Sequence, residues 1–274
     1  MRVGYVQTEA VFGEVARNLE RAMVQLEAAD GDLLVLPELF ATGYRFTDQA
    51  ELDALAEPLD GPTLRALGDH CRAHGRFVVA GFAERTPGGV YNSACVVGPA
   101  GVLGLYRKVH LFLDEKRIFL PGDLGFPVWD LGPCRLGALI CFDWCFPEAA
   151  RSLALADAQI IAHPANLVLP HAQGAMVTRC LENQLFAITA NRVGVDDRGD
   201  GRPLRFTGGS QVACPDGTRP QVGTLDSPCT GAVEIDPARA DDKWITPANH
   251  VLRDRRPEHY RDLAHGVGRH EGDR

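Results

Sequence analysis

Three side chains stand out because each follows an apolar run. Cys141 lies in GALICFDWCFPEAAR (137–151), where Leu136 to Ile140 reads as a buried strand and a Pro–Glu pair opens an Ala-rich helical pattern. A thiol at a strand end, where the chain turns toward a helix, is how a nucleophile is held up to a substrate. Glu38 follows a wholly apolar run in LLVLPELFATGY. A carboxylate there loses hydration, which disfavours its charged form and suits a proton acceptor working near neutral pH. Lys108 closes the strand pattern in LGLYRKVHLF. Thiol, base and cation at three strand ends can converge on one point. A free thiol is mostly protonated at neutral pH, so the attack needs a base such as Glu38. Negative charge then develops on the oxygen or nitrogen of a carbonyl or nitrile. Lys108 and the backbone N–H of Phe142 are placed to stabilise it, and one such donor is often worth ~3 kcal/mol.

The elements that position these groups follow from periodicity. Arg2–Gln7 alternates as a strand, and Gly13–Ala29 carries Val15, Leu19, Ala22, Met23 and Leu26 at helical spacing. Asp32–Pro37 is a short apolar strand of the kind covered on both faces. A helix is expected over 61–75, then strands at 77–84, 90–98 and 102–107 joined by Pro/Gly turns. Further strands are expected at 128–131, 136–141, 158–163, 186–193, 211–214 and 232–235, with helices at 147–157 and 171–183. Pro147 suits a helix start, where its missing N–H is harmless. This order predicts a layered α/β fold with helices covering the sheets. A single domain over 1–264 is expected, followed by a polar, mobile tail at 265–274.

Composition excludes several classes. The chain has 274 residues, 45% hydrophobic, and a net charge of -8, which argues against nucleic-acid and anionic-membrane surfaces. The start MRVGYVQTEAVFG has neither the basic nor the apolar region of a secretory signal, and no apolar run reaches the ~18 residues of a membrane helix. A cytoplasmic location is expected. The eight cysteines contain no CxxC pair, and Cys141 and Cys145 have no histidine near them in sequence, so neither a disulfide framework nor a zinc site is expected from them.

The segments PELFATGY, YRKVHLF, ICFDWCFPEAAR and LENQLFAITANRVG resemble the four signature blocks of the nitrilase superfamily of carbon–nitrogen hydrolases. The resemblance runs from Val3 through RRPEHY at 255–260. It implies a four-layer α-β-β-α sandwich with the site between sheet ends, and it implies a catalytic Glu38, Lys108 and Cys141. In amidase-like branches a second glutamate orients substrate and lysine. Glu115 in HLFLDEKRIF matches it, with Asp114 beside it. The implied reaction passes through a thioester on Cys141 and needs no metal or organic cofactor. The implied substrate is a small amide or nitrile, with a short aliphatic amide favoured. A nitrile, an N-carbamoyl amino acid and an ω-amide are the enzymic alternatives. A catalytically silent scaffold of the same fold is the non-enzymic one. The family also implies a homodimer or an assembly of dimers.

Tyr44, Phe142, Trp144, Asn166 and Phe119 are the candidates for the substrate pocket. His110 and His163 would be the base of a Cys–His protease, but a CGSCW-like context is missing and hydrogen-bonded structural histidines are favoured. Asp143 is read as a backbone partner near the turn, Arg107 as an ion-pair partner, and Arg179, Glu182 and Asn183 as helix-stabilising. No basic residue besides Lys108 is placed in the pocket, which favours neutral substrates.

Overall fold

A computed structural model describes residues 1–264; the expected tail at 265–274 lies outside the described residues. The chain divides into two compact units, Met1–Asp242 and a second beginning at Lys243.

The first unit holds, in chain order, β1 (Arg2–Gln7), α1 (Val15–Ala28), β2 (Leu33–Val35), α2 (Gln49–Leu55), α3 (Pro62–His74), β3 (Phe77–Thr86), β4 (Gly89–Gly98), β5 (Gly101–Arg107), α4 (Glu115–Ile118), β6 (Val128–Asp130), β7 (Arg135–Ala138), α5 (Pro147–Leu155), β8 (Ile160–Pro164), α6 (Ala172–Asn183), β9 (Phe186–Ala190), β10 (Val195–Asp196), β11 (Leu204–Arg205), β12 (Gln211–Ala213), β13 (Gln221–Val222) and β14 (Cys229–Glu234). Two six-stranded sheets form, in the orders β14-β1-β2-β3-β4-β5 and β13-β12-β9-β8-β7-β6. Each has three parallel strands at its centre, β1-β2-β3 and β7-β8-β9, flanked by antiparallel neighbours.

Alternation along each strand decides the layers, because successive side chains point to opposite faces. Leu33 and Val35 join Val79, Val96, Leu136, Ile160 and Phe186 in a core between the sheets. Leu34 and Leu36 point the other way and pack with Ala22 and Leu26 of α1 and Leu64 and Leu67 of α3. On the second sheet, Leu153 of α5 lies over Gly137, and the Cys180 thiol of α6 reaches the Ala213 carbonyl. The result is the α-β-β-α sandwich that the sequence predicts. Helix α3 opens on Pro62 and stops at Gly75, whose φ of 63° is the left-handed cap glycine adopts at little cost.

The second unit, as far as it is described, is a small antiparallel pair, β15 (Trp244–Thr246) with β16 (Asn249–His250), followed by 3-10 turns at Pro257–His259 and Arg261–Ala264. No helix among the described residues is long and apolar enough to cross a membrane.

Candidate active site

The two sheets bring four polar groups to one end of the sandwich. Glu38 stands three residues past β2 and Lys108 immediately past β5, both from the first sheet. Cys141 stands three residues past β7 and Asn166 two past β8, both from the second. The strand expected over 136–141 in fact stops at Ala138, and Cys141 opens a 3-10 turn, Cys141–Cys145. Cys141 is therefore held by a turn beyond the strand rather than by the strand itself.

The backbone is forced into unusual shapes at these points. Cys141 has φ of 41° and Leu39, next to Glu38, has φ of 51°. A non-glycine residue in this region costs of order 1 kcal/mol or more and persists only where its surroundings impose it. At Cys141 the imposing group is Asp143. Its Oδ2 accepts from Ile140 N at 2.8 Å and from the Tyr106 hydroxyl at 2.7 Å, and its Oδ1 accepts from His110 Nδ1 at 2.8 Å. His163 holds the other side, with Nε2 2.9 Å from the Cys141 carbonyl oxygen and Nδ1 3.1 Å from Thr189 Oγ1. A carbonyl only accepts, so Nε2 carries the proton and Nδ1 accepts from the Thr189 hydroxyl. Burial lowers the His163 pKa and keeps the ring neutral. At Glu38 the close neighbour is Gly81 of β3. A Cβ there would sit 2.4 Å from the Glu38 Cα, so only glycine lets the strand approach.

Four ionisable groups meet in a dry cluster. Fractional exposures are 0% for Glu38, 1% for Lys108, 4% for Glu115 and 5% for Cys141. Lys108 Nζ donates to Glu38 Oε1 at 2.6 Å and to Glu115 Oε1 at 2.8 Å. An ammonium has three N–H donors, so one stays available. Tyr44 donates its hydroxyl to Glu115 Oε1 at 2.5 Å, and the Phe112 N–H reaches Glu115 Oε2 at 3.3 Å. Glu115, rather than Asp114, is thus the acid that meets Lys108; Asp114 lies 3.7 Å from Arg117 instead. Asn92 donates Nδ2 to Glu38 Oε1 at 2.7 Å, and Asn166 donates Nδ2 to the Glu38 carbonyl at 2.8 Å. Glu38 Oε2 is buried with no hydrogen-bond partner among the described residues. Leaving a buried acceptor unmet is costly.

Charge and burial set the resting protonation. Burial pushes the Cys141 thiol well up, and the Glu38 carboxylate adds to this while Lys108 opposes it. The thiol therefore rests protonated and needs a base at the moment of attack. Burial alone would lower the Lys108 pKa, but Glu115 and Glu38 outweigh it and the ammonium stays charged. Burial pushes Glu115 up to about 6, partly offset by Lys108. Burial, with Glu115 beside it, also raises the Tyr44 hydroxyl well above its usual value, so it stays a donor.

Two clefts open near the cluster. Cys141 faces a narrow one with only about 10 Å³ of room, lined also by Phe112, Phe142, Trp144, Asn166, Leu167, Val168 and Leu169. Tyr44, Phe119 and Glu115 line a larger one of about 410 Å³, together with Arg45, Phe46, Leu113, Asp114, Ile118, Arg202 and Leu204. Of the five pocket candidates, Phe142, Trp144 and Asn166 line the cleft at the thiol, Tyr44 and Phe119 line the wider one, and Phe119 and Phe142 also share a third hollow beside His110. Sequence reasoning missed Asn92, Phe112 and Leu167 to Leu169. A polar Asn92–Ser93 pair inside the apolar VYNSACVV pattern is the signal that marks Asn92. Arg179 braces the nucleophile turn by donating Nε to the Trp144 carbonyl at 3.2 Å while pairing with Glu182 at 2.6 Å, a structural role as expected.

Residues 2–242 match the family model described as carbon-nitrogen hydrolase. The chain belongs to this family. It is an enzyme of the carbon–nitrogen hydrolase class. It is 44% identical over 264 residues to a nitrilase of Pyrococcus abyssi, covering 95% of this chain and 99% of that one. It is 40% identical over 222 residues to an (R)-stereoselective amidase of a Pseudomonas species, covering 79% and 78%. Among solved structures, a carbon-nitrogen hydrolase from Helicobacter pylori superposes with a TM-score of 0.88 at 27% identity, covering 97% and 98%. A mutant amidase from Nesterenkonia sp., TM-score 0.78 at 27% identity and 96% coverage of both chains, shows covalent addition of the acetamide moiety of fluoroacetamide at its active-site cysteine. The chain shares the fold of both.

Proposed function

We propose that this chain hydrolyses small, neutral aliphatic amides to acid and ammonia, with Cys141 as nucleophile. The observation that carries the reading is the dry Glu38–Lys108–Glu115 cluster beside a thiol on strained backbone. Glu38 takes the thiol proton as sulfur attacks the amide carbon, and the C–S bond forms as the carbonyl π bond shifts to oxygen. The spare N–H of Lys108 and the Phe142 N–H, in the first turn of a helix where backbone donors lack internal acceptors, hold the developing oxyanion. Glu38 returns the proton to the leaving nitrogen, the C–N bond breaks, and a thioester remains. Water then attacks with Glu38 as its base, and the thiol regains its proton as the acid leaves. Glu115 and Tyr44 keep Lys108 charged and aimed. No step calls for a metal or cofactor.

The apolar lining of the narrow cleft, which carries no charged side chain, supports a neutral substrate. Arg45, in the wider cleft, is already paired with Asp200 at 2.8 Å. Identity to the Pyrococcus nitrilase favours a nitrile as the second reading. A panel of amides, nitriles and N-carbamoyl amino acids, followed by ammonia and acid release, separates the readings. Short amides are expected to turn over fastest. Cys141→Ala is expected to lose on the order of 10⁴-fold or more of that activity; retention would sink the assignment. Exposed Leu155 on α5 and Leu181 on α6 support self-association, with a dimeric mass in solution as the expected result. Eight free thiols fit a reducing compartment such as the cytoplasm.

A further inference from the structure

Helices α1 and α3 lie side by side on the outer face of the first sheet, outside the cluster described above. Near their C-terminal ends they bring together Glu27, His70 and His74, whose potential ligand atoms all lie within 4.8 Å of one another. His70 and His74 are one turn apart on α3 with rings stacked at 4.3 Å. Glu27 faces both: Oε2 is 3.6 Å from His70 Nδ1 and Oε1 is 3.2 Å from His74 Nε2. Ligand atoms each ~2 Å from a tetrahedral ion lie about 3.3 Å apart; the two Glu27–histidine separations, one to each carboxylate oxygen, are near this.

The hydrogen bonds select the tautomer a metal would need. His74 Nδ1 is 3.0 Å from the His70 carbonyl oxygen, which only accepts, so Nδ1 carries the proton. In the neutral ring Nε2 then presents a lone pair toward the Glu27 carboxylate. Two electron-rich atoms at 3.2 Å require a proton or a cation between them. A ligating histidine whose other nitrogen donates to a backbone carbonyl is the usual outer-shell arrangement. His70 is buried with its Nδ1 facing Glu27, but its Nε2 has no partner among the described residues, so no outer-shell bond fixes its tautomer.

The field at this place also asks for positive charge. Glu27 sits in the last turn of α1, which has no basic residue there, and His74 ends α3. Both helices turn their partly negative ends to the cluster, where cations are favoured. Arg76 supplies one, but its Nη1 is committed to the Leu26 and Ala29 carbonyls at 3.1 and 2.8 Å.

The geometry points to Glu27, His70 and His74 as a binding site for one divalent transition-metal ion of the zinc type, clipping α1 to α3. Two imidazoles and a carboxylate suit zinc, and water completes the coordination on the exposed Glu27 side. The test is calorimetric titration of the chelator-treated full chain with zinc, alongside His74→Ala and Glu27→Gln, both at partly exposed positions. One site is expected in the parent, weakened about 100-fold by His74→Ala and about tenfold by Glu27→Gln. Zinc should raise the Tm of the parent and not of His74→Ala, and both variants should keep amide turnover. Cobalt bound in place of zinc should show ligand-field bands without thiolate charge transfer. No binding, equal affinity in parent and variants, or a thiolate signature would overturn the site; the first outcome would leave a protonated His74–Glu27 ion pair instead.

Discussion

Arg107 and Lys108 are consecutive residues at the end of β5, and each meets a buried carboxylate, yet the two pairs are built differently. Arg107 grips Glu84 with two bonds, Nη2 to Oε1 at 2.6 Å and Nε to Oε2 at 2.8 Å. Ser93 Oγ donates to Glu84 Oε2 at 2.7 Å, and Asp123 takes the remaining Arg107 Nη1 at 2.9 Å. Both Glu84 oxygens are met. Lys108 meets Glu38 through one oxygen only, Asn92 donates to that same oxygen, and Oε2 has no partner among the described residues. A saturated buried pair is finished, and removing one partner exposes the full desolvation cost of the other. An unsaturated pair holds unmet atoms in place for something that arrives later. The Arg107 side chain keeps 16% of its surface exposed and Lys108 none, so the pairs differ in burial as well as in completion.

Variants can break this contrast, and the largest effect is expected at Glu38. Glu38→Gln keeps shape and removes the base, so kcat should fall about 10³-fold, within the range general bases supply, while Tm moves by no more than about 3 °C. A large Tm drop with activity retained would reverse the comparison. Lys108→Met removes an oxyanion donor and should cost about 10²-fold or more in kcat. Glu115→Gln should cost about 10-fold and also change the pH profile. Because burial raises Glu115 to about 6, it protonates as pH falls through that value and the Lys108 ion pair is lost; the parent's acid limb near pH 6 should flatten in the variant. Glu84→Gln is the opposite case. It should lower stability by about 3 kcal/mol, roughly 8 °C in Tm, and leave the kcat of folded protein within about twofold.

The same contrast shows what the sequence made legible. Glu38, Lys108 and Cys141 could be read because each follows an apolar strand in a recognisable segment, and Arg107 could be read as a pairing residue. Asn92 could not, because its partner is 54 residues away and depends on β3 and β4 lying beside the β2 turn. Asp143 was legible as a backbone partner, but its bonds to Tyr106 and His110 depend on the two sheets facing each other. The stop of β7 at Ala138 was hidden because an apolar run does not say where extended backbone gives way to a turn. Tyr44 and Phe119 have pocket-like chemistry, but which cleft they line, the wider one with Glu115, depends on the folded loops. Helix α2, with seven residues, is too short for periodicity to reveal.

The central claim is that Cys141 carries the acyl group and Glu38 works on both sides of it. Intact-protein and peptide mass spectrometry on parent and Glu38→Gln, quenched during turnover of a slow amide, tests this most directly. The account predicts an acyl adduct on the Cys141 peptide alone, cleared quickly in the parent and persisting in Glu38→Gln because water lacks its base. An adduct on exposed Cys145, or steady turnover with no adduct on Cys141, would contradict it.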